Sequence, residues 1–406
     1  MSKFWINKSG EKKSIGDFDF EYNFDFKIDE PAFSFEVDTP KNWSELRNEN
    51  LHGIWKYEPI LPISKEIATN ISNETNDELS NPIEIPELAE LLGVKQFYLF
   101  PCLNGKGGNF KDVEAAFVIG KILDWKCVTP ISFHSTGNTA RAYREYAISA
   151  GLKSVSFFPL ECINKFIGAT ENSENKLFAY NGSFQNISNV AKKWATENGH
   201  LHLAPFRWKV EGKVPLGYHI INSVPTTTHI IQTIAGGYGA IGIYEAIVRL
   251  KKWKMVSHLP KFELFQIKGA DTISQLFPFD RDIFETDLKL QINSFEPTLQ
   301  STNPLSTFNT VRKVCSNTNS QISSISYQEV IKYSEELITV CEKYEVPLSF
   351  IDEKSPFISY AGLRKNAKEK KYKGDEVISF IVTGSKQRSG ATPSIDWLIN
   401  PNVEAK

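Results

Sequence analysis

The sequence predicts an α/β protein with two domains, each built on a parallel β-sheet. From residue 96 onward, short apolar runs typical of strands alternate with longer runs whose apolar residues recur at helical spacing. Such alternation indicates parallel strands that are joined by crossover helices. The chain has 406 residues, which is long enough for two domains and a sizeable core.

The predicted elements are taken from these two periodicities. The strand candidates, which are rich in β-branched and aromatic residues, are 96–103, 127–134, 154–160, 176–181, 201–206, 229–235, 261–267 and 376–382. The helix candidates, which repeat apolar residues every three or four positions, are 112–124, 138–150, 185–198, 239–252, 327–344 and 356–370.

We divide the chain into an N-terminal extension, 1–60, and two domains. The large domain is predicted to comprise 61–111 together with 201–406, and the small domain 112–200. Within the extension, aromatic residues alternate with polar ones from Phe18 to Phe26, which predicts a half-buried strand. The segment 293–323 is rich in Ser, Thr and Asn, and we expect a long surface excursion there.

The composition excludes several classes of function. Hydrophobic residues make up 41% and charged residues 23%, with a net charge of −2, so no basic surface for nucleic acid or membrane is indicated. No apolar run is long enough to span a bilayer. The five cysteines are scattered without paired spacing, which argues against a metal site and favours a reducing compartment. We therefore expect a cytoplasmic protein without bound metal.

Lys111 lies at the predicted junction between the first parallel strand and the first helix that follows it. Gly105, Gly107 and Gly108 allow the chain to turn sharply just before it. A lysine held at such a junction can be desolvated and lose its proton, which suits covalent catalysis. A surface lysine at a helix start is the simpler interpretation of this stretch alone, and Lys106 is a competing candidate.

A second strand-to-helix turn offers several hydrogen-bond donors. Its residues are Ser135, Thr136, Gly137, Asn138 and Thr139. Hydroxyls and an amide at a helix N-terminus form a geometry that binds a carboxylate. The alternative is an ordinary helix cap provided by Ser135 or Asn138.

A third turn is rich in glycine and also opens a helix. Its residues are Gly236, Gly237, Tyr238, Gly239 and Ala240. Backbone N–H groups at a helix N-terminus can hold a phosphate here without a cation. Gly237 to Gly242 also match a dinucleotide fingerprint, so a nicotinamide-dependent oxidoreductase is the rival interpretation. That rival requires an acidic residue at the end of the next strand, whereas Glu263 falls early in it.

Four stretches follow one another in an order that is known from one enzyme family. They are Phe110-Lys111-Asp112, Phe133 to Ala142, Gln232 to Gly242, and Val382-Thr383-Gly384. The chain resembles fold-type-II pyridoxal-phosphate enzymes, in particular threonine synthases and cysteate synthases, from about Trp55 to Arg388. The resemblance implies a tryptophan-synthase-β-like fold with the cofactor in the cleft between the two domains.

The resemblance also implies a role for each motif. Lys111 would carry pyridoxal phosphate covalently, because the family places this lysine directly after Phe. The glycine-rich turn would hold the cofactor phosphate, Asn138 would contact the ring hydroxyl, and the turn at 135–139 would bind the substrate carboxylate. Thr383 would meet the pyridine nitrogen. Since a hydroxyl cannot hold a pyridinium as a carboxylate does, we expect an unprotonated ring.

The implied reaction is elimination or replacement at the β- or γ-carbon of an O-phosphorylated amino acid. A nucleophilic second substrate is implied, and we expect a homodimer. Arg141, Arg207 and Arg388 are candidates for binding the phosphorylated group, although surface salt bridges are an equally open interpretation. Tyr238 and the altered segment 385–388 depart from the family pattern, so a degenerate cofactor-binding protein without turnover is the alternative.

Overall fold

The computed structural model describes residues 2–16, 33–72, 78–182, 184–203, 207–277, 295–299, 304–384 and 388–400. The strands are β1 (Lys3–Asn7), β2 (Lys12–Ser14), β3 (Phe33–Val37), β4 (Ile83–Glu84), β5 (Gln96–Pro101), β6 (Ile131–His134), β7 (Ser154–Pro159), β8 (Asn175–Tyr180), β9 (Leu201–Leu203), β10 (His229–Thr233), β11 (Lys261–Ile267), β12 (Gln321–Ile325), β13 (Val377–Val382) and β14 (Trp397–Ile399).

Helices separate most of these strands. The α-helices are α1 (Lys65–Ser72), α2 (Pro86–Leu92), α3 (Lys111–Asp124), α4 (Asn138–Ser149), α5 (Phe184–Glu197), α6 (Trp208–Glu211), α7 (Val214–Ser223), α8 (Tyr238–Lys252), α9 (Thr272–Leu276), α10 (Leu305–Thr318), α11 (Tyr327–Glu342) and α12 (Ser355–Lys368). Short 3-10 helices span Trp43–Leu46, Gly53–Ile60, Leu160–Phe166 and Pro297–Leu299. Each helix and strand predicted from residue 96 onward has a counterpart here, although residues 204–206 of one predicted strand lie outside the described residues.

Two sheets of parallel strands confirm the predicted fold class. The first has the order β12-β11-β10-β13-β5-β4, and β4 is its antiparallel member. The second has the order β14-β8-β7-β6-β9, and all its pairs are parallel. Both β9 and β14 therefore pair within the second sheet, although we assigned 201–406 to the large domain. The domain boundaries themselves stay a prediction.

The N-terminal residues form part of the main core. The strands β1, β2 and β3 make a small antiparallel sheet, and Trp5 on β1 lies with its ring 5.4 Å from that of Trp208. Tyr57 is fully buried, with its ring 5.7 Å from that of Tyr218. Burial of such large rings stabilises the attachment of this segment. The strand that we predicted between Phe18 and Phe26 lies outside the described residues.

The expectation of a surface excursion over 293–323 is wrong for much of its described part. Helix α10 occupies Leu305–Thr318, and β12 begins at Gln321. Phe308, Val311 and Val314 are buried against the core. These apolar residues recur every three positions, which is a helical signal that the surrounding Ser, Thr and Asn residues concealed.

The loops that carry the predicted site residues all follow the carboxyl ends of strands. Lys111 comes after β5, Ser135 after β6, Gly236 after β10 and Thr383 directly after β13. In parallel α/β sheets this edge is where ligands bind. The fold therefore brings motifs that are far apart in sequence to one edge of two neighbouring sheets.

Candidate active site

A cleft between the two sheets gathers most of the predicted site residues. It is lined by Lys111, Thr136, Asn138, Thr139, Gly236, Gly237, Tyr238, Gly239 and Thr383. Residues that the motifs did not predict also line it, among them Asn109, Gln232, Glu353 and Ser355. The competing lysine, Lys106, is not among its lining residues. The structure therefore separates the two lysine candidates by position.

The backbone of Lys111 is held by the loop that precedes it. The buried carboxylate of Asp112 accepts hydrogen bonds from the N–H of Gly107 at 2.7 Å and of Asn109 at 2.8 Å. The side-chain oxygen of Asn109 accepts from the N–H of Lys111 at 3.0 Å. A Cβ on Gly105 would come within 2.4 Å of Asp112, so this position requires glycine. These contacts fix the start of α3 and aim Lys111 into the cleft.

A buried ion pair lies behind Lys111. The Nζ of Lys213 is 3.0 Å from Oε2 of Glu114 and 4.2 Å from the ring centroid of Phe110. Burial lowers the pKa of Lys213 to about 8, despite the opposing charge of Glu114. Burial alone would raise the pKa of Glu114, but the positive charges of Lys213, Lys209 and Lys111 hold it at about 2. A carboxylate and several cations therefore set the potential around Lys111.

Because the pKa of Glu114 is low in the folded protein, the free energy of unfolding should decrease at acid pH. Its folded pKa of about 2 lies below the ordinary 4.5, so its stabilising contribution is present above 4.5 and is lost as the pH falls through about 2. That contribution is about 3 kcal/mol. Denaturant unfolding of the parent protein at about pH 5 and about pH 3 should show about 2 kcal/mol of this fall in the free energy of unfolding. Glu114→Gln should show a smaller fall.

The exposed Glu66 on α1 provides the matched control. Glu66→Gln should retain the pH dependence of the parent, because this side chain lies in solvent. Equal falls in the parent and in Glu114→Gln would contradict the assignment of acid sensitivity to the buried pair.

The side chains of the turn at 135–139 have two roles: some hold the turn in place, and others line the cleft. The Oγ of Ser135 accepts from the N–H of Gly137 at 3.1 Å and of Ala140 at 2.8 Å, so Ser135 satisfies an N–H in the first turn of α4, whose N-cap is Gly137. The hydroxyl of Thr136 donates to the carbonyl of Thr298 at 3.2 Å. Gly137 has a φ of 121° and faces Lys165, so it shapes the turn. Thr136, Asn138 and Thr139 are the members of this turn that line the cleft.

The glycine-rich turn forms a close-fitting cradle at the N-terminus of α8. Gly237 has a φ of 81°, and a Cβ on Gly239 would lie 2.4 Å from Nε2 of Gln232 and 2.8 Å from the ring of Phe110. The Oε1 of Gln232 is buried without a hydrogen-bond partner. Ala240 is buried in the helix and is not a lining residue. Since α8 has 15 residues, its first N–H groups can bind an anion in this cradle.

Thr383 at the end of β13 belongs to a chain of polar side chains. Its Oγ1 lies 2.7 Å from the Oγ of Ser355, and Ser355 donates to Oε1 of Glu353 at 2.7 Å. The other oxygen of Glu353 accepts from Nδ2 of Asn138 at 2.5 Å. Glu353 and Ser355 were not predicted from the sequence. Ser355 is the first residue of α12 and Glu353 lies two residues before it, and no motif marks either position.

Glu353 is held as a carboxylate by cations from across the cleft. The Nζ of Lys165 lies 3.4 Å from Glu353 and 3.2 Å from Glu296. Burial would raise the pKa of Glu353, but the charges of Lys165 and Arg388 bring it below its ordinary value. Lys165 follows β7 of the second sheet, so these ion pairs join the two walls of the cleft.

The three predicted arginines have different surroundings. Arg141 donates through Nη1 to the carbonyls of Lys165 at 3.0 Å and Ile167 at 2.6 Å. Arg207 pairs with Glu245 and with Glu211, the latter at 3.1 Å. Both side chains are occupied by these contacts, and neither lines the cleft. The structure therefore does not support their predicted role in substrate binding.

Arg388 is the predicted arginine that contacts a cleft residue. It donates through Nη2 to Oδ1 of Asn138 at 2.9 Å, while its Nη1 is buried without a hydrogen-bond partner. A guanidinium nitrogen in that state can bind an anionic group. Among the three predicted arginines, Arg388 is therefore the one whose side chain is shown to hydrogen-bond a side chain of the predicted substrate turn.

Three further observations concern the cysteines, possible metal ligands and possible membrane-spanning helices. All five cysteines are free thiols. Among the described residues, no group of three or more His, Cys, Asp and Glu side chains could hold a metal ion. None of the helices in this part of the chain combines the length and the apolar character that a membrane crossing requires.

Comparison with known proteins identifies relatives by sequence. A family described as "Pyridoxal-phosphate dependent enzyme" matches residues 75–384. A cysteate synthase from Methanoregula boonei is 24% identical over 245 residues, which is 59% of this chain and 57% of that protein. A threonine synthase from Halalkalibacterium halodurans is 23% identical over 356 residues, which is 86% of this chain and 92% of that protein. The chain thus spans little more than half of the cysteate synthase.

Solved structures share the fold at low sequence identity. Maize serine racemase matches with a TM-score of 0.60 and 17% identity, covering 80% of this chain and 93% of that one. Serine racemase from Dictyostelium discoideum matches with a TM-score of 0.58 and 18% identity, covering 79% and 96%. Because the family match extends over most of the chain and includes the candidate site, the protein belongs to the pyridoxal-phosphate dependent enzymes.

Proposed function

We propose that this protein catalyses elimination or replacement at the β- or γ-carbon of an O-phosphorylated amino acid, with a nucleophile as second substrate. The observation that carries this proposal is the single cleft that contains Lys111, the anion cradle at Gly236–Gly239 and the hydroxyl of Thr383. The similarity to a cysteate synthase and a threonine synthase supports this class of reaction.

The residues of the cleft fit pyridoxal phosphate. Lys111 would hold the cofactor covalently, and the N–H groups at Gly236–Gly239 would bind its phosphate. The cradle has no room for a Cβ at Gly239, which agrees with a close approach of backbone to an anion. Asn138 and Thr383 would contact the ring hydroxyl and the ring nitrogen. When bound, the cofactor supplies an electron sink next to the substrate α-carbon.

Two groups of this chain would bind the substrate and move its proton. The N-terminal turn of α4, with its backbone N–H groups and the hydroxyl of Thr139, offers donors to the substrate carboxylate, whereas the proton of the Thr136 hydroxyl is engaged by the carbonyl of Thr298. The amine of Lys111, once released by the incoming substrate, would act as the base that takes the α-proton. The ion pairs of Lys165 with Glu296 and Glu353 connect the two walls of the cleft.

Arg388 is our candidate for binding the leaving phosphate. Its Nη1 has no hydrogen-bond partner, and its Nη2 already orients Asn138. A guanidinium is suited to the bidentate binding of phosphate oxygens. The contacts of Arg141 and Arg207 to other groups leave Arg388 as the predicted arginine that best supports a phosphorylated substrate.

The rival interpretation as a nicotinamide-dependent oxidoreductase fails at Glu263. This residue is near the start of β11, and its Oε2 accepts hydrogen bonds from Asn366 at 2.7 Å and Tyr372 at 2.9 Å. The cleft lies at the opposite, carboxyl ends of the strands, so Glu263 is not positioned to bind a ribose there. The rival also gives no role to Lys111.

We retain two further proposals from the sequence. A cytoplasmic location is supported by the five free thiols, which are typical of a reducing compartment. A homodimer stays a prediction that light scattering would test. A degenerate, non-catalytic cofactor-binding protein is the alternative to catalysis, and phosphate release in the assay below would exclude it.

The release of phosphate from O-phosphoserine and O-phosphohomoserine tests the proposed reaction. We expect release from O-phosphoserine, because Ala140-Arg141-Ala142 and the stretch Gly239–Ala246 look closer to cysteate synthases than to threonine synthases. The two compounds differ by one methylene, for which a fitted pocket discriminates by roughly 1–3 kcal/mol. Sulfite, thiols and amines should each be tried as the second substrate.

The outcomes separate the alternatives. Release from O-phosphohomoserine alone would change the reaction to replacement at the γ-carbon. Release from neither compound, with the cofactor bound, would show that the leaving group is not phosphate or that the protein is degenerate. Lys111→Ala serves as the background measurement in each case.

A further inference from the structure

The hydroxyl of Thr383 is the terminal member of a buried hydrogen-bonded chain. Its Oγ1 lies 2.7 Å from the Oγ of Ser355, and that Oγ lies 2.7 Å from Oε1 of Glu353. Glu353 and Ser355 are both almost completely buried. The direction of each hydrogen bond in this chain determines what Thr383 can offer to the cleft.

The hydrogen bonds that link Thr383, Ser355 and Glu353 have one consistent direction. An ionised carboxylate only accepts, so the single hydroxyl proton of Ser355 goes to Glu353. Ser355 then has no proton left for Thr383, and the hydroxyl of Thr383 must donate to the Oγ of Ser355. The proton of Thr383 is therefore engaged within the protein, and its oxygen lone pairs remain for the cleft.

This direction depends on Glu353 being ionised, which its surroundings favour. Lys165 lies 3.4 Å from its Oε2, and Asn138 donates to the same oxygen at 2.5 Å. Arg388 bonds Asn138 on the other side and contributes a second positive charge. A buried carboxylate with two cations and several donors stays charged at neutral pH.

We propose that Thr383 acts as a hydrogen-bond acceptor toward the pyridine nitrogen of the cofactor, so that this site selects the protonated ring. Ser355 and Glu353 are the positioning residues that impose this direction. The inference reverses the expectation from sequence, in which Thr383 was a donor to an unprotonated ring. It rests on the proposed function only in requiring that pyridoxal phosphate binds in this cleft.

The selection has a chemical consequence for the substrate. A protonated ring withdraws electrons more strongly than an unprotonated one, and hydrogen bonds to ring nitrogens are one means by which a protein tunes this cofactor. The α-proton that Lys111 removes would therefore be more acidic than a Thr donor would allow. Glu353 would support catalysis without contacting the reacting atoms.

The test is nitrogen NMR of the holoenzyme loaded with pyridoxal phosphate that carries ¹⁵N at the pyridine position. We expect the bound parent protein to show the chemical shift of a protonated pyridine. Ser355→Ala removes the acceptor of the Thr383 proton, so the hydroxyl can turn toward the ring. The resonance of this variant should shift to the position of an unprotonated pyridine.

Ser359→Ala is the matched control on the same helix. Ser359 is also buried, but its hydroxyl bonds that of Thr233 at 2.6 Å instead of that of Thr383. The resonance of this variant should remain that of the parent. Thr383→Val keeps the side-chain volume and removes the acceptor, so it should also lose the protonated signal, and it provides a second measurement if Ser355→Ala does not fold.

Each possible result of these NMR measurements tests a different part of the proposal. An unprotonated shift in the parent would overturn the inference, even if phosphate release shows that the proposed function is right. A protonated shift in Ser355→Ala or in Thr383→Val would overturn the role given to this chain of hydroxyls. A protein that binds no cofactor at all would overturn the proposed function together with this inference.

Discussion

Lys111→Ala will bind pyridoxal phosphate weakly and will release no phosphate from an activated amino acid. The change removes both the covalent attachment and the amine that takes the α-proton. Loss of a general base alone costs about 10²–10⁴-fold in rate, and loss of the covalent attachment adds to it. Phosphate release and the visible absorbance of the bound cofactor measure the two effects separately.

Lys106→Ala is the control for this variant. Lys106 is half-buried in the same loop but does not line the cleft, so its replacement should leave turnover within roughly a few-fold of the parent. If Lys106→Ala were inactive and Lys111→Ala active, the covalent role would belong to Lys106. Activity in both variants would remove lysine from the mechanism.

Gly239→Asp will lower the affinity for pyridoxal phosphate by about 10³-fold. The new side chain has no room beside Gln232 and Phe110, and its charge would lie where the cofactor phosphate binds. Juxtaposition of like charges costs several kcal/mol, which corresponds to this change in affinity. Titration with the cofactor, followed by absorbance or fluorescence, gives the dissociation constant.

Val248→Asp provides a matched control for the added charge. Val248 lies on the same helix, α8, and is exposed. Cofactor affinity should be unchanged in this variant, and circular dichroism should show that both variants are folded. If Gly239→Asp instead bound pyridoxal phosphate normally and lost the binding of a nicotinamide cofactor, the oxidoreductase interpretation would be right.

The sequence predicted most strands of the two sheets because their signals are local, but it did not predict the edge strands β4, β12 and β14. Strands such as β11 and helices such as α12 show their apolar periodicity within a single window of residues. Helix α10 was missed because Phe308, Val311 and Val314 are separated by polar residues that dominate the composition. The pairing of β14 with β8 could not be read from sequence, because the two strands are far apart along the chain and no local pattern links them.

The candidate site was predictable where its residues form continuous motifs. Lys111, Asn138, the glycine-rich turn and Thr383 each follow a predicted strand, and parallel topology then brings these positions to one cleft. The partners of the arginines could not be predicted from motifs in this way. Nothing near Arg207 in sequence indicated that Glu245, 38 residues away, would take its charge.

The positioning residues Glu353 and Ser355 could not be predicted from motifs either. Neither follows a strand or belongs to a motif, and each becomes meaningful only through its contact with Asn138 or Thr383. A glutamate before a predicted helix is ordinary in sequence. Its burial and its partners, which depend on the whole fold, give it a role.

Reduction with borohydride followed by peptide mapping tests the central claim most directly. Borohydride fixes pyridoxal phosphate to the lysine that carries it, and mass spectrometry of the digested protein locates the modified residue. The structure predicts a single adduct on the peptide that contains Lys111, together with loss of the visible absorbance of the bound cofactor. An adduct on Lys106, or no adduct on any lysine of a protein that binds the cofactor, would contradict the account.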